Sequence, residues 1–316
     1  MGQCRVALGR LTTQVCPAPS LVVLAAGIAR RYGGCKPLAP VGPHGEAVID
    51  LLASDAMAAG FGDLVLVIHP ESGPAIRYHV ERCWPTSIPV SFAEQRLPLG
   101  TTHAVLAARP AIRDNQSFAV ANADDVYGLS AMGLLAAQLV TDTPGHALVG
   151  YQLASTVATD APVTRGVCEV DRAGRLLAIH ERRHVSRLHG GVAFTALDGV
   201  LPDTLAGDLL VSVNLWGFRH SIWDIFDAAM DGSGLDENAL IKAAESGADI
   251  PKCEVLLPEV VGAMIASGTG EPVRVLATDS SCVGVTHADD LPLVRAELAR
   301  QVAWGTRPDR LWSGIA

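Results

Sequence analysis

The chain is short of basic charge: 24 Lys+Arg stand against 33 Asp+Glu, a net charge of −9. Non-specific nucleic-acid binding needs a clustered basic face. The densest basic runs here are the pairs Arg30-Arg31 and Arg182-Arg183, so no nucleic-acid partner is expected. The seven cysteines are odd in number and contain no C-x-x-C pair. That count excludes a disulfide framework and a zinc knuckle, and fits thiols in a reducing cytoplasm, where the protein is expected to reside. No apolar run approaches the ~18–20 residues of a membrane span. Walker A (G-K-[ST]), dinucleotide (G-x-G-x-x-G) and nucleophile-elbow (G-x-S-x-G) signatures are all missing. The ten histidines are read as carrying no zinc site.

What is present is apolar content, 49% of residues, laid out in alternating runs. Residues 1–18 carry Arg5 and Arg10 without an apolar stretch after them, and read as a disordered extension rather than a signal peptide. Ser20 to Ala26 is a buried strand running into Gly27, and Asp63 to His69 is a second. Between them, Glu46 to Ala59 shows helical spacing, with Gly60 as its cap. Pro89 to Phe92 and Ser117 to Asn122 are strand-like, and Thr102 to Ala108 is helical. This alternation through residue 150 predicts a three-layer α/β/α, Rossmann-like domain with a mainly parallel mixed sheet. The second half changes to a hairpin (Gly166 to Glu181), a strand (Leu209 to Phe218), a strand pair (Val273 to Val285) and a closing helix (Leu291 to Trp304). Residues 19–316 are thus expected to form one domain, with a substrate-side β subdomain in 151–316.

Three segments carry chemistry. In the first, Leu24, Ala25, Ala26 and Gly27 deliver a small-residue turn whose backbone N–H groups can approach an anion, with Arg30, Arg31 and Lys36 close behind. In the second, Gln95 stands five residues before Gly100-Thr101, and a primary amide can pair with a base edge. In the third, Asp124 and Asp125 follow a buried strand, an arrangement that is costly without a cation such as magnesium.

Together these segments resemble the sugar-phosphate nucleotidyltransferase family, whose loop reads L-A-A-G-x-G-[ST]-R followed by K-P. A subgroup of it runs R-Y-G-G-L-K-Q, then P-V-G-P-N-G-E and N-A-D-D-[YF]-Y-G. This chain has Arg31-Tyr32-Gly33-Gly34-Cys35-Lys36, PVGPHGE from Pro40 to Glu46, and Asn122-Ala123-Asp124-Asp125-Val126-Tyr127-Gly128. The resemblance implies that Arg31 and Lys36 hold phosphates, that Asp124 binds Mg²⁺, and that Gln95, Gly100 and Thr101 read the base. Ala29 replaces the family's glycine and Arg30 its Ser or Thr. Further along, Gly166 in Thr164-Arg165-Gly166, Glu181-Arg182 in place of Glu-Lys, and Asn214 in VSVNLWGF match acceptor-binding positions. By this likeness Glu181 and Asn214 meet sugar hydroxyls and Arg182 the acceptor phosphate. Gly284-Val285-Thr286 resembles G-V-T-Y, which makes Thr286, Asp289 and Asp290 candidates for a second metal ligand.

The implied reaction joins a nucleoside triphosphate to a sugar 1-phosphate, without a covalent intermediate, in residues 19–150 (nucleotide half) and 151–316 (acceptor half). A cyclitol phosphate, a phosphocholine-like head group or a molybdenum cofactor are alternative acceptors, and a silent nucleotide-binding regulator is a rival from another class. Homo-oligomerisation is compatible with the sequence. Trp216 and Trp223 are expected in the core rather than stacked on a ligand.

Overall fold

The computed structural model describes residues 17–27, 34–157, 161–188, 193–246, 248, 253–285 and 288–312. The expected extension lies outside these residues up to position 16. In chain order the elements are β1 (Ser20–Ala25), α1 (Val48–Ala58), β2 (Asp63–Ile68), α2 (Gly73–Cys83), β3 (Val90–Glu94), α3 (Thr101–Ala108), β4 (Phe118–Asn122), β5 (Asp125–Val126), α4 (Leu129–Leu139), β6 (His146–Gln152), β7 (Val163–Val170), β8 (Leu176–Arg187), β9 (Ala193–Ala196), β10 (Thr204–Ala206), β11 (Leu210–Phe218), α5 (Ile222–Gly232), α6 (Glu237–Glu245), α7 (Leu257–Ser267), β12 (Val273–Thr278), β13 (Val283–Gly284) and α8 (Leu291–Ala303). Among the described residues no helix is long and apolar enough to cross a membrane.

β1 is apolar at successive positions because helices cover both of its faces. Leu21, Val23 and Ala25 join a core with Ile49 and Leu52 of α1, Ile76 of α2 and Leu135 of α4. Val22 joins a second core with Val105 of α3, Phe226 of α5 and Val261 of α7. Strand alternation thus feeds two cores from one sequence run, giving three α/β/α layers. In the second core Phe118 stacks on Trp223 at 4.5 Å and Trp216 on Phe218 at 5.9 Å, so both tryptophans are core residues as expected.

The mixed sheet runs β10-β9-β8-β7-β11-β4-β1-β2-β3, with β6 on the other edge of β11 and β12 beyond β6. β4, β1, β2 and β3 are mutually parallel, whereas β7 to β10 are antiparallel neighbours. β11 spans the whole assembly. Its Val211 and Ser212 pair with β7, its Trp216 to Phe218 pair with β4, and its far edge pairs with β6. The register against β6 shifts between Ser212 and Trp216, and within that bulge Asn214 adopts φ +66°. The expected strand pair at 273–285 is present as β12 and β13, which join different sheets: β12 pairs β6 in parallel and β13 pairs β5.

Residues after α8 return to α1. Arg307 makes a two-pronged bond to the buried Asp55, 2.8 and 2.7 Å, and Trp312 packs against Trp84 at 5.7 Å.

Burial governs His146, the first residue of β6. It is 3% exposed, its Nδ1 accepts the Arg219 backbone N–H at 3.2 Å, and burial lowers its pKa to about 4. The unfolded chain binds a proton near pH 6.5, whereas the folded chain resists until about pH 4, so stability falls as pH drops through that window. The shift corresponds to a loss of roughly 3 kcal/mol. Urea unfolding of the parent and His146→Gln at pH 7 and pH 4.5 checks this; equal losses in both proteins would refute the assignment.

Candidate functional site

Two adjoining cavities open at the carboxyl ends of β1 and β4, where ligands gather in open α/β sheets. One, of ≈ 550 Å³, is lined by Leu24, Ala26, Gly27, Gln95, Pro98, Gly100, Thr101, Ala104, Asn122, Asp124 and Glu254. The other, of ≈ 280 Å³, is lined by Thr101, Asn122, Asp125, Thr164, Arg165, Gly166, Ile179, Glu181, Ser212, Val213, Asn214, Leu256 and Pro258. Thr101 and Asn122 belong to both walls, and the two neighbouring carboxylates divide between them: Asp124 lines the larger cavity, Asp125 the smaller.

Gln95 and Gly100 build one wall of the larger cavity. The Gln95 Nε2 donates to the Gly100 carbonyl at 2.9 Å and lies 3.2 Å from His103 Nδ1, pinning the loop that starts α3. Gly100 has φ +100°, and a Cβ there would strike the backbone N and O of Val255. Val255 in turn donates to Leu99 and accepts from Thr102, so it cannot retreat. Gly100→Ala is expected to cost about 2 kcal/mol in urea unfolding, from left-handed strain plus collision; an unchanged midpoint would show the clamp to be soft.

Lys36 extends its Nζ to 3.7 Å from Asp124 Oδ2. Asp124 has a raised pKa because the cavity wall strips water from it, with the Lys36 charge pulling the other way. Asp125 is pushed up to about 6, chiefly by desolvation and next by the Asp124 charge, against the Asn122 hydrogen bond and the charges of Arg165 and Lys36. Two carboxylates held this close favour a cation between or beside them. Gly284 of β13 leaves room for Asp125, since a Cβ at that position would overlap its Oδ1.

A chain of polar groups backs this pair. Trp216 Nε1 donates to Asn214 Oδ1 at 2.8 Å, Asn214 Nδ2 to Asn122 Oδ1 at 2.8 Å, and Asn122 Nδ2 to Asp125 Oδ2 at 3.0 Å. Tyr127, 1% exposed, accepts the Asn122 backbone N–H at 2.9 Å and donates to the Val213 carbonyl at 3.1 Å, tying β4 to β11.

The structure thus brings Leu24, Ala26, Gly27, Gln95, Gly100, Thr101 and Asp124 to one cavity and Gly166, Glu181 and Asn214 to the other, with Lys36 beside Asp124. Ala25 faces the first core. Arg30, Arg31 and Thr286 lie outside the described residues. Asp290 is buried and Asp289 exposed beside α8, and neither lines either of these two cavities.

Arg182 requires correction. Neighbouring side chains on a strand point to opposite faces, and Glu181 takes the cavity side. Arg182 is turned into a closed pocket, with Asp198 at 2.8 and 3.2 Å and the carbonyls of Val200 and Pro202 at 2.7 and 2.9 Å. It is 5% exposed and lines neither of these two cavities.

Sequence reasoning missed Asn122, Tyr127, Arg165 and Glu254. The signal for Arg165 was its place next to Gly166; its guanidinium is held by the hydroxyl and carbonyl of Thr156 and the carbonyl of Thr164. It also overlooked that His180-Glu181-Arg182-Arg183-His184 spells H-E-x-x-H, a zinc motif when helical. Here the run lies on β8, where positions four apart are separated by about 13 Å, too far to share one zinc ion. Among the described residues no group of three His, Cys, Asp or Glu could hold a metal.

Residues 21–161 match the family model of the MobA-like NTP transferase domain. The match runs from β1 past β6, contains Gly27, Gln95, Gly100 and the Asp124–Asp125 pair, and indicates a nucleotidyltransferase. No curated protein matches the chain.

Proposed function

We propose that the chain transfers a nucleoside monophosphate from a nucleoside triphosphate to a sugar 1-phosphate and releases pyrophosphate. The observation that carries this reading is the division of labour at β4: adjacent carboxylates, Asp124 and Asp125, each face one of two cavities that share Asn122 and Thr101. The larger cavity takes the triphosphate and the smaller the phosphorylated acceptor.

The acceptor phosphate oxygen attacks the α-phosphorus. A new P–O bond forms there as the bond to the bridging oxygen breaks, and pyrophosphate leaves with the electron pair. A phosphate monoester is anionic at neutral pH, so no general base is required, and positioning with charge neutralisation supplies the rate. The donor set fits Mg²⁺, which keeps several waters and takes one or two carboxylates plus substrate phosphates. Asp124 would hold it, with Asp125 alongside, and the bound ion would neutralise charge on the triphosphate. Lys36 and Arg31 draw the phosphates to the turn at Gly27. Gly166, Glu181 and Asn214 receive the acceptor, and the role expected of Arg182 passes to Arg165, the basic residue of that wall.

Pyrophosphate release from the common nucleoside triphosphates, each paired with a panel of sugar and cyclitol phosphates, tests the reading. Release with one sugar 1-phosphate supports it; none with any pair overturns it, and release only with cyclitol phosphates moves the acceptor class. Within the same matrix, Gln95→Ala is expected to change the ranking of donors by roughly two- to tenfold, the worth of one neutral hydrogen bond. Its acceptor KM should stay within about twofold. An unchanged donor ranking would make Gln95 a loop brace only.

A further inference from the structure

We infer that Trp216, a core residue outside both cavities, is a positioning residue for the transfer, acting on Asp125 through the side-chain amides of Asn214 and Asn122. The inference rests on the transfer reading above. It starts from direction. An indole N–H can only donate, and an ionised carboxylate can only accept. With Trp216 at one end and Asp125 at the other, the two amides between them have one consistent orientation: each offers its oxygen towards Trp216 and its nitrogen towards Asp125. Both amides are thereby held against the flip that leaves such groups ambiguous.

The anchoring is unusually firm at every link. Trp216 is 0% exposed and stacked on Phe218, so its N–H has no water to turn to. Asn214 occupies a left-handed conformation, φ +66°, inside the β11 bulge, a costly geometry for any side chain other than Gly, Asn or Asp. Asn122 is held a second time by Tyr127, whose hydroxyl accepts its backbone N–H. Asn122 is also one of two residues common to both cavities. A rigid amide at that position, with its nitrogen committed to Asp125, fixes the carboxylate at the place where donor and acceptor meet. Hydrogen bonds in series polarise one another, so charge arriving at the acid pair is felt at the indole.

The test combines kinetics with the indole N–H resonance of Trp216 in the full chain. Trp216→Phe keeps an aromatic ring and removes the donor. It should lower kcat about two- to tenfold while both KM values stay within about twofold. On an Asn122→Ala background the same replacement should change kcat less than about 1.5-fold, because the path is already cut. Simple multiplication of the two effects would mean independent structural damage and would overturn the inference. ATP, GTP, CTP and UTP, each with Mg²⁺, should shift the Trp216 indole proton in the parent, and the shift should vanish in Asn214→Asp, which tolerates the backbone and accepts from Trp216 but cannot donate onward. An indole shift that survives Asn214→Asp, or none in the parent with any of the four, also overturns it. If the parent binds nucleotide and shows the shift but releases no pyrophosphate, the transfer reading fails and the positioning path stands. If Trp216→Phe does not fold, the resonance in Asn214→Asp decides.

Discussion

Asp124→Asn is expected to abolish nearly all pyrophosphate release, a drop of roughly a thousandfold or more, while the thermal midpoint stays at or above that of the parent. The size follows from removing a charged ligand of a catalytic cation, worth several kcal/mol of transition-state stabilisation at about 1.4 kcal/mol per tenfold. The stability half follows from repulsion. The Asp124 charge adds to the desolvation that raises the pKa of Asp125, and the Lys36 contact with Asp124 at 3.7 Å compensates only in part. Losing one charge relieves that repulsion. Near-parent turnover at saturating magnesium would refute the role, and a collapsed midpoint would show that the pair is structural.

Arg307→Ala should cost about 3–5 kcal/mol, a large part of the 5–15 kcal/mol typical of a folded domain. Asp55 is 4% exposed, and burial already raises its pKa against the opposing charge of Arg307. Without its partner, a carboxylate in α1 is left uncompensated in the interior. The double replacement Asp55→Leu, Arg307→Met should recover most of the loss, since apolar residues remove the desolvation cost altogether. Urea unfolding of the two variants checks both statements; a loss under about 1 kcal/mol for Arg307→Ala would mean that water reaches Asp55.

Much of this was legible in the sequence, for identifiable reasons. β1, β2 and β4 read clearly because strands covered on both faces need apolar residues at every position. α4 did not, because Leu129–Leu139 is apolar on nearly every side and carries Gly133, so no helical period emerges. The short strands β9 and β10 offer too few residues for any period to appear. Gln95, Gly100 and Asp124, which the motif resemblance singled out, line the larger cavity because each lies at an element's end, where the chain direction is set locally. The resemblance misplaced Arg182 because one step along a strand reverses the face, and spacing alone does not say which of two neighbours looks into a cavity. Asn122 was passed over since its partner Asn214 is 92 residues away, a contact that only the crossing of β4 and β11 creates.

β11 carries one more consequence. Many enzymes that join two substrates enclose them by swinging one lobe towards another about a few backbone torsions. Here β11, whose Ser212, Val213 and Asn214 line the smaller cavity, is hydrogen-bonded on one edge to β7 and β4 and on the other to β6. Among the described residues, the strands that line the smaller cavity cannot part from β4 without breaking those ladders. On the proposed reading, opening and closing therefore fall to the rim, and the distance between the two substrates is a constant of the sheet rather than a variable of a hinge.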